Sequence, residues 1–273
     1  MKKIGISNLL LFSPAYNVGE TIGKGLEMFE DLAALLKLRG CKLELLIIND
    51  NSSDDTGEIL EKFSASHQFL TVKNNETNLR NAANIITGYN WAIDNVGENI
   101  NESLIGCLDA DGEHNPLAFR KHIEYITEEG FDGVVGSIIY PDHRIGWLDM
   151  HMMRFNGGLQ AAMMGISEPF YIQSPGHQLH RVKYLKEAVK NLFPRYQEFF
   201  AKQSNEKMPA WGMHAVFDSL VSIAGGKLKS VYLECFNPPP NRDAKKLMEQ
   251  AWAAMLHARM LAAFGNQVAL GKT

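Results

Sequence analysis

The chain reads as an α/β protein built on a mainly parallel sheet, and three observations predict it. Short apolar runs ("NLLLFSPA", "KLELLIIND", "LTVKNN", "SLIGCLDAD") alternate with segments whose apolar residues recur at helical spacing. Polar turns follow each apolar run, at the edge where open α/β sheets bind their ligands. The 273 residues, 45% hydrophobic and 21% charged, are an ordinary globular balance that supports a large core.

Taken in order, Leu9 to Ser13 forms a buried strand that Pro14 is expected to stop. Ile22, Leu26, Phe29, Leu32, Leu35 and Leu36 then mark one face of a helix closed by Gly40. "KLELLIIND" gives a second strand, and the "NSSDDT" turn caps a helix over about residues 56–63. "LTVKNN", "NAANIITGYNWAIDN" and "SLIGCLDAD" continue as strand, helix and strand. Beyond them, "NPLAFRKHIEYITEEG" predicts a helix, "FDGVVGSIIY" a strand, and residues 141 to 175 a long excursion rich in Met, Gly and His. "GGKLKSVYLECFNPPPN" is a late strand before a proline turn, and an Ala/Met-rich amphipathic helix follows. No repeat or linker divides the chain, so one composite domain over residues 1–273 is expected.

Charge and cysteine content narrow the function. A formal net charge of −4 gives no electrostatic case for a nucleic-acid partner. Cys41, Cys107 and Cys235 are far apart and odd in number, so free thiols in a reducing compartment are expected. The apolar stretch after Lys2 and Lys3 is too short for a signal peptide, and none approaches a bilayer span. The expected setting is cytoplasmic, with membrane contact at most peripheral.

Three look-alike motifs fail on spacing. "GETIGKG" places Gly25 where a Walker loop needs Ser or Thr, and its spacer is one residue short. "DADGEH" would put His114 and Arg120 where an EF-hand needs Gly and Glu. No G-x-G-x-x-G follows the first strand. What remains is "LDADGEHNP", with Asp109, Asp111 and Glu113 at alternate positions. On extended chain these lie on one face, neighbours about 6–7 Å apart, and their repulsion calls for a cation. Hard carboxylate oxygens at a strand end suit Mn2+ or Mg2+ bound jointly with substrate phosphates. Asp50 also ends a buried strand. Ser52, Ser53 or Asp54 can cap the next helix, which leaves Asp50 to face a ligand such as a nucleobase N–H.

"SPAYN", "IINDNSSDDT", "NAANIITGYNWA" and "LDADGEHNP", in that order, resemble the family 2 inverting glycosyltransferases of GT-A fold. The "DADGEH" form is most similar to the dolichyl- and polyprenyl-phosphate sugar synthases. The resemblance implies a Rossmann-like nucleotide-sugar-binding half over residues 1–116 and an acceptor half over 117–273. It implies that Pro14, Ala15, Tyr16, Asn17, Asp50 and Asp109 hold the nucleotide, and that Asp109, Asp111 and Glu113 hold the metal on the donor diphosphate. Asp111 is then essential to catalysis. Arg154 and Arg242 match basic positions that reach phosphate or acceptor in the synthases. The chain departs from the pattern at Val18 (usually Glu), at Ile138 and at Gln178 (both usually Arg).

The expected activity is metal-dependent inverting transfer from a nucleotide-diphosphate sugar to a hydroxyl on a glycan or small molecule. That chemistry needs a carboxylate base, and Asp142, Asp149, Glu168 and Asp218 are the candidates, with Asp218 chosen. A lipid-phosphate acceptor, as in a polyprenyl-phosphate glycosyltransferase, is the alternative. A non-catalytic sugar-nucleotide-binding protein is the alternative from another class. His177 and His180, at i and i+3, are expected to share a helical face in structural or surface roles. Trp252, Leu256 and Met260 form a C-terminal stripe expected to pack on the sheet or on a second subunit in a homo-oligomer. Lys245, Lys246 and Arg259 are too few for strong membrane docking.

Overall fold

In the computed structural model, residues 5–110, 112, 114–139, 151, 155, 158–159, 162, 176–204, 206–209, 211–234 and 244–271 are described. The first half folds as its periodicity dictates. β1 (Asn8–Ala15) leads into α1 (Gly19–Leu38), and β2 (Lys42–Asn49) into α2 (Thr56–Ser64). β3 (Leu70–Asn74), α3 (Arg80–Asn95) and β4 (Ser103–Leu108) complete it. Helix α1 buries Ile22, Leu26, Phe29, Leu32 and Leu36, the expected stripe, and Gly40 follows its end with φ 77°. Strand β1 runs on through Pro14. Its pairing with β4 ends at Phe12 opposite Cys107, so the missing N–H falls where it costs least.

The second half contributes α4 (Phe119–Thr127), β5 (Gly133–Ile139), β6 (His177–Arg181) and α5 (Val182–Glu187). A π-helical turn over Ala188–Leu192 joins α5 to α6 (Phe193–Gln203). Helix α7 (Met213–Ile223), β7 (Leu228–Glu234) and α8 (Ala244–Ala269) follow. Among the described residues the strands lie in the order β3-β2-β1-β4-β6-β5-β7, and of these β6 alone runs antiparallel, wedged between β4 and β5. All other pairings are parallel, as expected.

Alternation along the strands splits the core between the two faces of the sheet. Leu10, Phe12, Leu46, Ile48 and Ile105 join the face covered by α3, α5, α6, α7 and α8. Leu9, Leu11, Leu45, Ile47 and Leu104 join the face covered by α1 and α4. A Leu10→Ala change would leave a fully enclosed cavity costing about 2–5 kcal/mol. Helix α3 comes close to β1 because residue 88 is glycine: a Cβ there would collide with the Phe12 ring. Tyr89 then meets Phe12 and Phe217 edge-on, at ring-centroid distances of 4.8 and 4.7 Å.

Two expectations change. "HQLHR" is a strand, not a helix, so its alternate residues face opposite sides of the sheet. His177 stacks among Phe119 and His122 on the α4 side, whereas Gln178 and His180 turn towards α7; both histidines are fully buried. On α8 the C-terminal stripe divides. Met260 is buried and Leu256 partly so, while Trp252 stays 42% exposed beside Met248 and Met255. Among the described residues no helix is long and apolar enough to cross a membrane. Cys41 and Cys107 are buried free thiols, and Cys235 lies outside the described residues. Desolvation pushes the Cys41 thiol up to about 12.

Candidate active site

The carboxyl ends of β1, β2 and β4 bring the predicted residues to one edge. After β1 the chain turns sharply: Tyr16 is exposed, and Asn17 adopts φ 51°. Asn17 accepts a hydrogen bond from the Ser53 N–H at its side-chain oxygen (2.8 Å) and donates its own N–H to Ser52 Oγ (3.0 Å). Asp54 accepts from the N–H groups of Gly19 and Thr56 and from the Thr56 hydroxyl. These bonds hold its carboxyl below the ordinary range, the Thr56 side chain most of all. The β1–α1 and β2–α2 loops are thus stitched together. Pro14 and Ala15 form the floor of that turn, half-buried and buried.

Asp50 is not free, as had been expected. It is 3% exposed, and its carboxylate accepts from Asn75 Nδ2 (2.8 Å), the Leu79 N–H (2.8 Å) and the Arg80 N–H (2.9 Å). Arg80 has φ 67°, a left-handed conformation that these bonds help to hold. Asp50 therefore organises the loop before α3, and only its remaining lone-pair capacity is left for a ligand.

Asp109 follows β4, its side chain 26% exposed and its N–H bonded to the Gly176 carbonyl at 2.9 Å. Glycine is required at 176, because a Cβ would run into the Asp109 carboxylate and crowd His114 Nε2. Asp111, Glu113, Arg154 and Arg242 lie outside the described residues, as do Asp142, Asp149 and Glu168 and most of the 141–175 excursion. Among the described residues no three His, Cys, Asp or Glu side chains converge as a metal site.

Antiparallel β6 brings up residues that sequence reasoning missed. His214, in the first turn of α7, lies with Nε2 3.6 Å from Asp109 Oδ1. Its Nδ1 is 3.2 Å from Gln178 Oε1, which also accepts the Tyr89 hydroxyl at 2.7 Å. The Gln178 amide donates to Asp218 Oδ2, and His180 Nε2 lies 2.9 Å from Asp218 Oδ1. The signal available in the sequence was the Arg-to-Gln departure at 178: an uncharged amide there fits a buried network that a guanidinium would not.

This arrangement corrects one assignment. Asp218 is fully buried and engaged by Gln178 and His180, so it cannot reach an acceptor hydroxyl as a base. Burial raises its carboxyl above the ordinary value, with His180, His214 and Gln178 pulling the other way. Across the sheet, burial lowers His122 to about 3, with His180 adding to the effect. Burial likewise holds His177 well below the ordinary histidine value, helped by His122 and His114.

The profile described as "Glycosyl transferase family 2" matches residues 11–193, two thirds of the chain, from β1 through the site to the start of α6. The chain belongs to that family. It is a glycosyltransferase, and its α/β sheet is the GT-A fold that the motifs predicted. No curated protein matches it in sequence. Solved structures share the fold at low identity. Mannosyl-3-phosphoglycerate synthase from Rubrobacter xylanophilus is 15% identical with TM-score 0.55, covering 99% of this chain and 77% of that one. Glucosyl-3-phosphoglycerate synthase from Mycobacterium tuberculosis, solved with Mn2+, uridine diphosphate and phosphoglyceric acid, is 14% identical with TM-score 0.56, covering 95% and 78%. The mannosyltransferase PcManGT from Pyrobaculum calidifontis, solved with GDP-Man and Mn2+, is 13% identical with TM-score 0.52, covering 99% and 81%. The particular likeness to polyprenyl-phosphate sugar synthases gains no support among these structures.

Proposed function

We propose that this glycosyltransferase is metal-dependent and inverting, and moves a sugar from a nucleotide-diphosphate sugar to a hydroxyl of a glycan or small molecule. The observation that carries the proposal is the carboxylate of Asp109, partly open to solvent at the sheet edge that the β1–α1 and β2–α2 loops also line. The relatives bound to Mn2+ with UDP or GDP-Man support the same donor chemistry. In this reading the turn at Pro14, Ala15, Tyr16 and Asn17, with the loop organised by Asp50, holds the nucleotide. Asp109, Asp111 and Glu113 offer hard oxygens suited to Mn2+ or Mg2+. A divalent ion bound there would offset the charge building on the departing nucleoside diphosphate.

A hydroxyl acceptor must give up a proton, and with Asp218 sealed in the core the base falls to Asp142, Asp149 or Glu168. Alanine at the true base should lower kcat by about 10²–10⁴-fold without weakening donor binding. The test is to measure nucleoside diphosphate release from a panel of nucleotide sugars with hydroxyl acceptors, including phosphoglyceric acid, then to repeat it on the three variants. Full activity in all three, with transfer only to polyprenyl phosphate, would replace the hydroxyl acceptor by a lipid phosphate, which needs no base.

A further inference from the structure

Arg80 stands in a conformation that its side chain disfavours. Its φ of 67° is the left-handed region, where the Cβ of any residue but glycine crowds the backbone. Three hydrogen bonds hold it there. Its N–H donates to Asp50 Oδ2 (2.9 Å) and Asn78 Oδ1 (3.0 Å), and its carbonyl accepts from Asn84 Nδ2 (3.1 Å). Glycine would take the same turn without that crowding. The guanidinium is exposed and meets no ion-pair or hydrogen-bond partner among the described residues, so no contact within them offsets the strain. Strain kept without a structural return marks a residue used for something else.

The groups beside Arg80 show a definite hydrogen-bonding pattern. Asp50 Oδ1 already accepts two bonds, from Asn75 Nδ2 and the Leu79 N–H, whereas Oδ2 accepts only the Arg80 N–H. One lone pair of Oδ2 is therefore open, and the bond on the other keeps Arg80 next to it. Asp50 also donates its own N–H to the Ala15 carbonyl at 2.9 Å, so Tyr16 follows directly on a residue tied to Asp50. Tyr16 and Leu79 are 51% and 49% exposed, large apolar groups around a single acceptor with a cationic donor beside it. A flat ring that offers one N–H flanked by carbonyl oxygens complements that pattern. Uracil has this edge, with its N3–H between O2 and O4. Guanine carries an amino group on one side of its ring N–H. Cytosine and adenine present a ring lone pair instead, which Oδ2 repels.

We propose that Arg80 is a specificity-determining residue of the donor site. Its guanidinium donates to a carbonyl oxygen of the base while Asp50 Oδ2 accepts from the neighbouring ring N–H, and the base is one with the uracil edge. The proposal rests on the nucleotide-sugar reading above and deepens it by naming the base. A hydrogen bond from a charged donor is stronger than a neutral one, and a base that leaves such groups unpaired is rejected. Position 80 thus gives up folding stability for recognition.

The test is calorimetric titration of uridine, guanosine, cytidine and adenosine diphosphates into the full chain with Mn2+. Uridine diphosphate should bind most tightly, at least 10-fold ahead of the cytidine and adenosine compounds. Arg80→Gly should raise the melting temperature, because the turn relaxes, yet weaken uridine diphosphate about 10–100-fold and narrow its lead. Higher stability joined to weaker, less selective binding is a result that a purely structural arginine would not give. Equal binding of all four by the native chain, or unchanged uridine diphosphate affinity in Arg80→Gly, would overturn the proposal and leave the donor reading in place. A lower melting temperature in Arg80→Gly would also overturn it, by assigning the side chain to the fold. If none of the four binds, the donor reading falls and this proposal with it.

Discussion

The loops after β1 and β2 and the seam between β6 and α7 are both dense in hydrogen bonds, yet they are built in opposite ways. In the loops, backbone N–H groups donate to side chains: Ser53 to Asn17 and Gly19 to Asp54 close to solvent, and Leu79 and Arg80 to the buried Asp50. In the seam, side chains bond to side chains in the core: Tyr89 to Gln178, Gln178 to Asp218, His180 beside Asp218. The loops use polar residues to fix the turn that, in the proposed function, faces the nucleotide. The seam uses them to hold one ring, His214, beside Asp109. A lost partner is costlier in the seam, because water cannot replace it.

Four experiments would break or sharpen this contrast. The largest effect on stability belongs to the seam. Asp218→Ala should destabilise the fold by about 3–5 kcal/mol in chemical denaturation, since it strands Gln178 and His180 in the core. A variant of normal stability that lost activity alone would restore Asp218 as a catalytic group. Next comes Asp50→Ala in the loops, expected to weaken nucleotide binding by about 1.5–3 kcal/mol with or without metal. Unchanged calorimetric affinity would reduce Asp50 to a structural turn residue.

The third experiment compares acid sensitivity. His122 is held neutral by burial, with its folded value lowered to about 3 against 6.5. The unfolded chain then binds the extra proton between those values, so stability falls as pH drops through that window and is full above about 6.5. The loss approaches about 1.4 kcal/mol per pH unit in the middle of the window. His122→Phe should flatten the dependence of melting temperature on pH, and an unchanged slope would assign acid lability elsewhere. The smallest effect is expected at the exposed Trp252 on α8, where Trp252→Ala should shift stability by no more than about 1 kcal/mol. A larger loss would mean that this face is covered in solution.

Much of the first half of the chain was legible because its order is local. Each βαβ unit signals itself by an apolar run, a polar turn and a helical stripe, as in Ile22 to Leu36. The seam was not legible, because it depends on β6 crossing back between β4 and β5 from seventy residues further along the chain. Once β6 is a strand, Gln178 and His180 share a face and meet α7; read as a helix, "HQLHR" pairs His177 with His180 instead. Asp50 shows the opposite failure: its position at a strand end was read correctly, but the N–H groups of Leu79 and Arg80 claim its carboxylate from across a turn. Periodicity registers which face a residue takes, and long-range hydrogen bonds decide what that residue is free to do.

The central claim is that the acidic cluster after β4 serves a nucleotide-sugar donor through a divalent ion. The most direct measurement is isothermal titration of uridine and guanosine diphosphates into the protein, with and without Mn2+, for the native chain and for Asp111→Ala. The account predicts Mn2+-dependent binding in the native chain, its loss in Asp111→Ala, and an unchanged melting temperature, since removing one charge from a repelling cluster does not injure the core. Binding of equal strength in both proteins, with the same response to Mn2+, would contradict it.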